Sequence, residues 1–292
     1  MTKLQRIGDQ TDILGECPIW DDRHHCLYWI DIRCPALRRY DFSTQRVTTW
    51  TMPSLVGSIA LTEGHLLLVA LTDQIALFDP RNGQLQQHVK APDLAEGHRF
   101  NDGRCDRQGR FWVGTMHNIT RAPVGVLYCL TEGEPLRAVL DGICIPNSLA
   151  FSPGGDTMYF ADSLNHRLDA YEFDSKKGTL GSKRVIANTI EPGFPDGSAV
   201  DAQGYIWNAE FWSSRIVRYA PDGRIDRVVH VPVDRPTCCA FGGPDLNLLF
   251  ITTTSQNLSP EQRQEQPLAG GLFCLPVEVQ GLPESRYALN TL

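Results

Sequence analysis

Glu16, Asn101, Asn147 and Asp196 lie up to 180 residues apart, yet each stands five residues before a turn residue: Asp21, Asp106, Ser152 and Asp201. The same count from Thr62 and Gly242 ends on Gly57 and Thr237. If these positions are equivalent members of one repeat, two carboxylates and two carboxamides converge. Repulsion and lost hydration make such a cluster costly unless a cation neutralises it. Oxygen donors of this kind suit a hard divalent cation. Taken singly, Asp102-Gly103 and Asp196-Gly197 are ordinary turn dipeptides, and Asn or Asp often begins a strand. The shared register is what argues for a site.

That convergence requires repeated elements, and the chain supplies six. Each has a short apolar strand, a turn with Asp, Ser or Gly, and a second strand carrying aromatics. Trp29, Leu68, Trp112, Phe160, Trp207 and Phe250 mark the second strands, at spacings of 39, 44, 48, 47 and 43 residues. A period in the forties, with β-branched and aromatic runs between turns, is that of four-stranded propeller blades. Two more strand candidates follow each pair, for example Arg215-Ile-Val-Arg-Tyr219 and Arg227-Val-Val-His-Val231, and Asn82-Gly83 and Asp222-Gly223 suit tight hairpins. No segment carries a long 3.6-residue apolar period, so helices should be few. The expectation is an all-β, six-bladed β-propeller with four antiparallel strands per blade and a central metal site. It forms one domain over residues 1–292, since no linker interrupts the repeats. Residues 270–277 supply a last strand, and the N-terminus completes that blade. The first strand of each blade lines the axial channel, so the repeat position forms a ring around one mouth.

Hydrophobic residues make up 42% and charged residues 21%, the balance of a globular chain with ample core. Net charge is −7 and no basic run occurs, which excludes a nucleic-acid partner. No signal-peptide core and no run of about 18 apolar residues is present, so no membrane partner is expected and the cytoplasm is the default. The nine cysteines are scattered and form no Cys-x-x-Cys pair, as for free thiols in a reducing compartment. Neither a Gly-x-Ser-x-Gly elbow nor a phosphate loop occurs.

Gly15-Glu-Cys-Pro-Ile-Trp20, Arg99-Phe-Asn-Asp-Gly103, Gly109-Arg-Phe-Trp-Val-Gly-Thr-Met116, Pro146-Asn147, Tyr159-Phe-Ala-Asp162 and Pro195-Asp-Gly197 resemble the senescence marker protein/gluconolactonase/luciferin-regenerating enzyme family, especially its bacterial sugar lactonases of the xylonolactonase type. Gly242-Gly-Pro-Asp-Leu246 and Pro267-Leu-Ala-Gly-Gly-Leu-Phe273 extend the resemblance over nearly the whole chain. It implies a six-bladed propeller with one divalent cation (Ca, Zn, Mn, Mg or Fe(II)). The family's metal ligands fall on Glu16, Asn147 and Asp196, and its substrate-binding Arg and Asn on Arg99 and Asn101. Cys17 and Ser148 stand where Gly or Ser, and Gly, are common; both are small, so the metal site should survive.

The implied reaction is hydrolysis of a small-molecule sugar (aldono-)lactone to the free aldonic acid in sugar catabolism. The cation would act as a Lewis acid and lower the pKa of water. Asp196 is the expected catalytic base, with hydroxide on the metal as the alternative. His117, after the Gly-Thr-Met turn, is a third substrate-binding candidate, with Arg121 and Trp212 as further rim residues. An organophosphate-type hydrolase and a non-enzymatic calcium-binding propeller are the competing readings. The sequence carries no signal for an oligomeric state.

Overall fold

The aspartate of the repeat closes its own turn and then fixes the next strand. Asp106 accepts backbone N–H groups from Gln108 and Arg110 at 2.8 and 3.1 Å, and its other oxygen accepts Trp112 Nε1 at 3.0 Å. Asp201 repeats this with Gln203, Tyr205 and Trp207 at 2.9, 3.1 and 2.9 Å. An Asx turn therefore sets the hairpin, while the indole six residues later is anchored in register. Arg110 and Arg218 neutralise these two buried carboxylates at 2.6 and 2.8 Å. Trp112 and Trp207 are fully buried, so one motif specifies turn, register and core together.

The computed structural model describes residues 3–92 and 96–289 and contains six four-stranded antiparallel sheets. Their inner strands are Gly15–Asp21, Val56–Leu61, His98–Cys105, Pro146–Phe151, Phe194–Val200 and Pro236–Gly242. Each of these strands packs against the next, and the sixth against the first. The architecture is the six-bladed propeller expected from the repeat. Blade 6 is completed from both ends of the chain: Gln5–Ile7 pairs antiparallel with Leu272–Pro276, which follows Leu248–Thr253 in the sheet. Apolar side chains fill the space between neighbouring sheets, as where Trp20 of blade 1 stacks on Phe250 of blade 6 with centroids 5.8 Å apart. No helix of the described residues is long and apolar enough to cross a membrane.

A feature absent from the repeat is the segment after blade 6. It crosses the mouth opposite the clustered carboxylates, touching blade after blade. Gly281 N–H donates to Leu246, Arg104 pairs with Glu284 at 3.2 Å, Tyr287 N–H donates to Leu61 and Ala288 N–H to Gly109. Tyr287 is fully buried, and its hydroxyl donates to Glu132 at 2.8 Å. Truncating a buried aromatic costs about 3–5 kcal/mol. Tyr287→Ala should therefore lower the thermal midpoint by roughly 5–8 °C. A shift below about 2 °C in a calorimetric scan would show that the strap is dispensable.

Candidate active site

Every inner strand slips register at the repeat position. The slips fall between Glu16 and Ile19, Val56 and Ser58, Phe100 and Gly103, Asn147 and Ala150, Pro195 and Ser198, and Pro236 and Cys238. A β-bulge leaves one residue unpaired and re-aims its side chain, so the ring of polar residues is presented by a ring of bulges. The bulges of blades 1 and 4 place Cys17 and Ser148 in the left-handed region, at φ 48° and 58°. This explains why small residues stand there. Ser148 Oγ also donates to the Asp196 carbonyl at 2.5 Å, and Asn208 Nδ2 donates to the same oxygen at 3.1 Å, fixing the backbone beneath Asp196. A Cβ on Gly197 would lie 2.2 Å from Cys238 Sγ, so the residue after Asp196 must be glycine.

The bulges open into a cavity of about 400 Å³ whose lining includes Glu16, Arg99, Asn101, Asn147 and Asp196. A directed chain of hydrogen bonds runs through it. Arg99 Nη1 donates to Asn101 Oδ1 at 2.6 Å, and Asn101 Nδ2 donates to Asn147 Oδ1 and to the Pro146 carbonyl, both at 2.8 Å. Asn147 Nδ2 donates to Ser163 Oγ at 2.8 Å, which donates to the Pro195 carbonyl at 2.7 Å. The amide of Asn101 is thereby spent on its neighbours. The chain also turns Asn147 so that its oxygen, not its nitrogen, sits on the Asn101 side and keeps a second lone pair. Arg99 is almost buried, with Nε on Asn118 Oδ1 at 2.8 Å and Nη1 on the Phe100 carbonyl at 2.9 Å. Its Nη2 has no acceptor among the described residues.

Electrostatics separate this cluster from an ordinary polar core. Burial raises the Glu16 carboxyl well above the usual range, and the Asp102 carboxylate raises it further. Burial and then Glu16 and Asp102 raise Asp196 in the same sense. Burial and the neighbouring Arg33 bring Arg99 down to about 10. The Oδ1 atom of Asp196 is buried without a hydrogen-bond partner. Two close carboxylates, one with an orphaned oxygen, and an oriented carboxamide oxygen form an oxygen-only donor set that fits a hard divalent cation. Among the described residues no three His, Cys, Asp or Glu side chains form a metal group. The set depends on the carboxamide.

Five of the six residues expected from sequence are thus brought together, and His117 is not. Met116 lines the cavity, so strand alternation sends His117 to the opposite face. There its Nδ1 accepts the backbone N–H groups of Ile119 and Thr120 at 3.2 and 3.1 Å, and its ring meets His98 edge-on. Arg121 and Trp212 do reach the lining, as does Asn118, which holds Arg99. Arg33, Arg235 and Gln256 also line it, from loops with no common spacing, and no periodic signal marks them.

Residues 14–255 match the family model for the SMP-30/Gluconolactonase/LRE-like region. The chain is 36% identical to the 6-deoxy-6-sulfogluconolactonase of Pseudomonas putida over 288 residues, covering 98% of each chain. It is 37% identical to the L-arabinolactonase of Azospirillum brasilense over 289 residues, covering 97% of this chain and 94% of that one. Among solved structures, the calcium-binding protein regucalcin from Agrobacterium tumefaciens superposes with a TM-score of 0.95 at 31% identity, covering 99% and 98% of the two chains.

Proposed function

The chain belongs to the SMP-30/gluconolactonase/LRE-like family, and from that premise we propose that it hydrolyses a sugar-acid lactone using one divalent cation held by Glu16, Asn147 and Asp196. The observation that carries this reading is the buried, unpartnered Oδ1 of Asp196 beside the Glu16 carboxylate. The similarity to two sugar lactonases supports the substrate class, and the likeness to a calcium-binding propeller supports the cation. The lactonase names differ between a sulfonated gluconolactone and an arabinolactone, so the relatives leave the sugar open.

When bound, the cation offsets the two carboxylate charges and polarises the ester carbonyl. The protein supplies the rest. Arg99 Nη2 donates to the substrate's carbonyl or hydroxyl oxygens, held in place by Asn118 and Asn101. Asp196 takes a proton from the attacking water as the new C–O bond forms. It then delivers that proton to the ring oxygen as the lactone C–O bond breaks. The products are one hydroxyl and one carboxylic acid, which releases its remaining proton to solvent and leaves as the carboxylate. All nine cysteines are unpaired, which supports a reducing cytoplasm.

The test is a panel of aldono-lactones and one phosphotriester, assayed with the protein loaded with Ca²⁺, Mn²⁺ or Zn²⁺ in turn. Lactone turnover with at least one cation, and no phosphotriester turnover, is the expected result. Cation binding without turnover of any lactone would leave a calcium-binding propeller as the better reading.

A further inference from the structure

Four guanidinium groups line the same cavity as the two carboxylates: Arg33, Arg99, Arg121 and Arg235. Several sheltered arginines elsewhere in the fold pair with acids, as in Arg38 with Asp12, Arg110 with Asp106, Arg215 with Glu210 and Arg218 with Asp201. None of the four cavity arginines is in such an ion pair among the described residues. Neutral groups hold them instead. Arg33 Nε donates to Gln256 Oε1 at 2.7 Å, and Arg235 donates to the Gln256 carbonyl. The Arg235 guanidinium lies 3.6 Å from the Trp212 ring centroid, and its buried Nε has no partner.

These charges also repel one another. Burial and Arg121 lower Arg33, while burial, Arg33 and Arg121 lower Arg99. A divalent cation would cancel Glu16 and Asp196 and leave four positive charges facing the substrate. An uncharged lactone offers only an ester and hydroxyls, which call for neutral donors and Arg99 but not for three further cations. The carboxylate created by hydrolysis forms beside Asp196, deep in the ring. Arg33 is half-buried and Arg121 exposed, so both belong to the mouth.

We propose that the substrate is an aldono-lactone carrying a second, permanently anionic group remote from the ester, docked between Arg33 and Arg121, with Arg235 beside Arg33 on the shared Gln256. A sulfonate, a phosphate or a carboxylate shares the required chemistry: a compact anion able to take paired guanidinium N–H donors. This inference rests on the lactonase reading above but fails separately from it.

The experiment compares cation-loaded protein on glucono-δ-lactone with the same lactone bearing a 6-phosphate or a 6-sulfonate, and with a glucaro-lactone bearing a free carboxylate. The anionic lactones should show kcat/KM about 10- to 100-fold higher, mostly through KM. Added salt should erode that advantage. The double variant R33Q/R121Q should cut the anionic-to-neutral ratio at least tenfold, with thermal melting checked for an intact fold. The preferred anion identifies which of the three sources applies. Equal or better turnover of the neutral lactone, with a ratio unmoved by R33Q/R121Q, would overturn the inference and leave the lactonase reading standing. If no lactone is turned over, the lactonase reading falls. Calorimetric binding of 6-phosphogluconate against gluconate then decides the arginines: tighter binding of the phosphate supports an anion site, and equal binding refutes it.

Discussion

Asp196→Asn should lower kcat on the best lactone by at least about a hundredfold, with the deficit persisting at saturating divalent cation. The substitution keeps size and one oxygen donor, and Asn already serves at the equivalent position of blade 4. It removes the charge and the atom that accepts a proton. Loss of a general base typically costs about 10²- to 10⁴-fold, whereas weakened cation binding is recovered by mass action. The fold should tolerate the change. The Asp196 backbone is held through its carbonyl by Ser148 and Asn208, and its Oδ1 makes no hydrogen bond that would be lost. A titration of kcat against cation concentration separates the two roles. Recovery to near the wild-type kcat at high cation would reduce Asp196 to a ligand and remove it from proton transfer.

Exhaustive chelation should abolish lactone hydrolysis, and a divalent cation should restore it. The same cation should raise the thermal midpoint, a readout independent of turnover. Burial opposes the ionised forms of Glu16 and Asp196, Asp102 raises both, and Glu16 raises Asp196 further. A cation that binds only the folded ring relieves that opposition. At a hundredfold excess over Kd it adds about 2.7 kcal/mol of stability, which is several degrees for a chain of this size. Asn147→Ala should remove most of this rise, because it deletes the one neutral donor of the set. Full activity after chelation, together with a melting temperature indifferent to added cation, would remove the metal from the account.

Counting back five positions from the turn selected Glu16, Asn101, Asn147 and Asp196 because the inner strand has a constant length between bulge and turn. That length is repeated in four blades by an Asp or Ser that closes its own hairpin. Separating Asn147 from Asn101 as a ligand was a matter of family resemblance. In the structure each carboxamide oxygen accepts one hydrogen bond, Asn101 from Arg99 and Asn147 from Asn101, so the ligand assignment rests on the resemblance.

His117 shows the opposite case. Its place after a supposed Gly-Thr-Met turn looked favourable in one dimension, but that segment is part of the strand Phe111–His117, which sends neighbouring side chains to opposite faces.

Fold class, blade number, the completion of blade 6 by the N-terminus and the polar ring were therefore determined by the sequence alone. Each follows from local periodicity, and local turns propagate it without reference to the rest of the chain. The arginine-lined mouth and the strap beneath the ring were decided only by tertiary structure. Arg33, Arg121 and Arg235 come from loops of blades 1, 3 and 6, and residues 277–289 from outside the repeat. Ring closure brings these loops to one end, and no spacing along the chain records a meeting between segments that share no repeat.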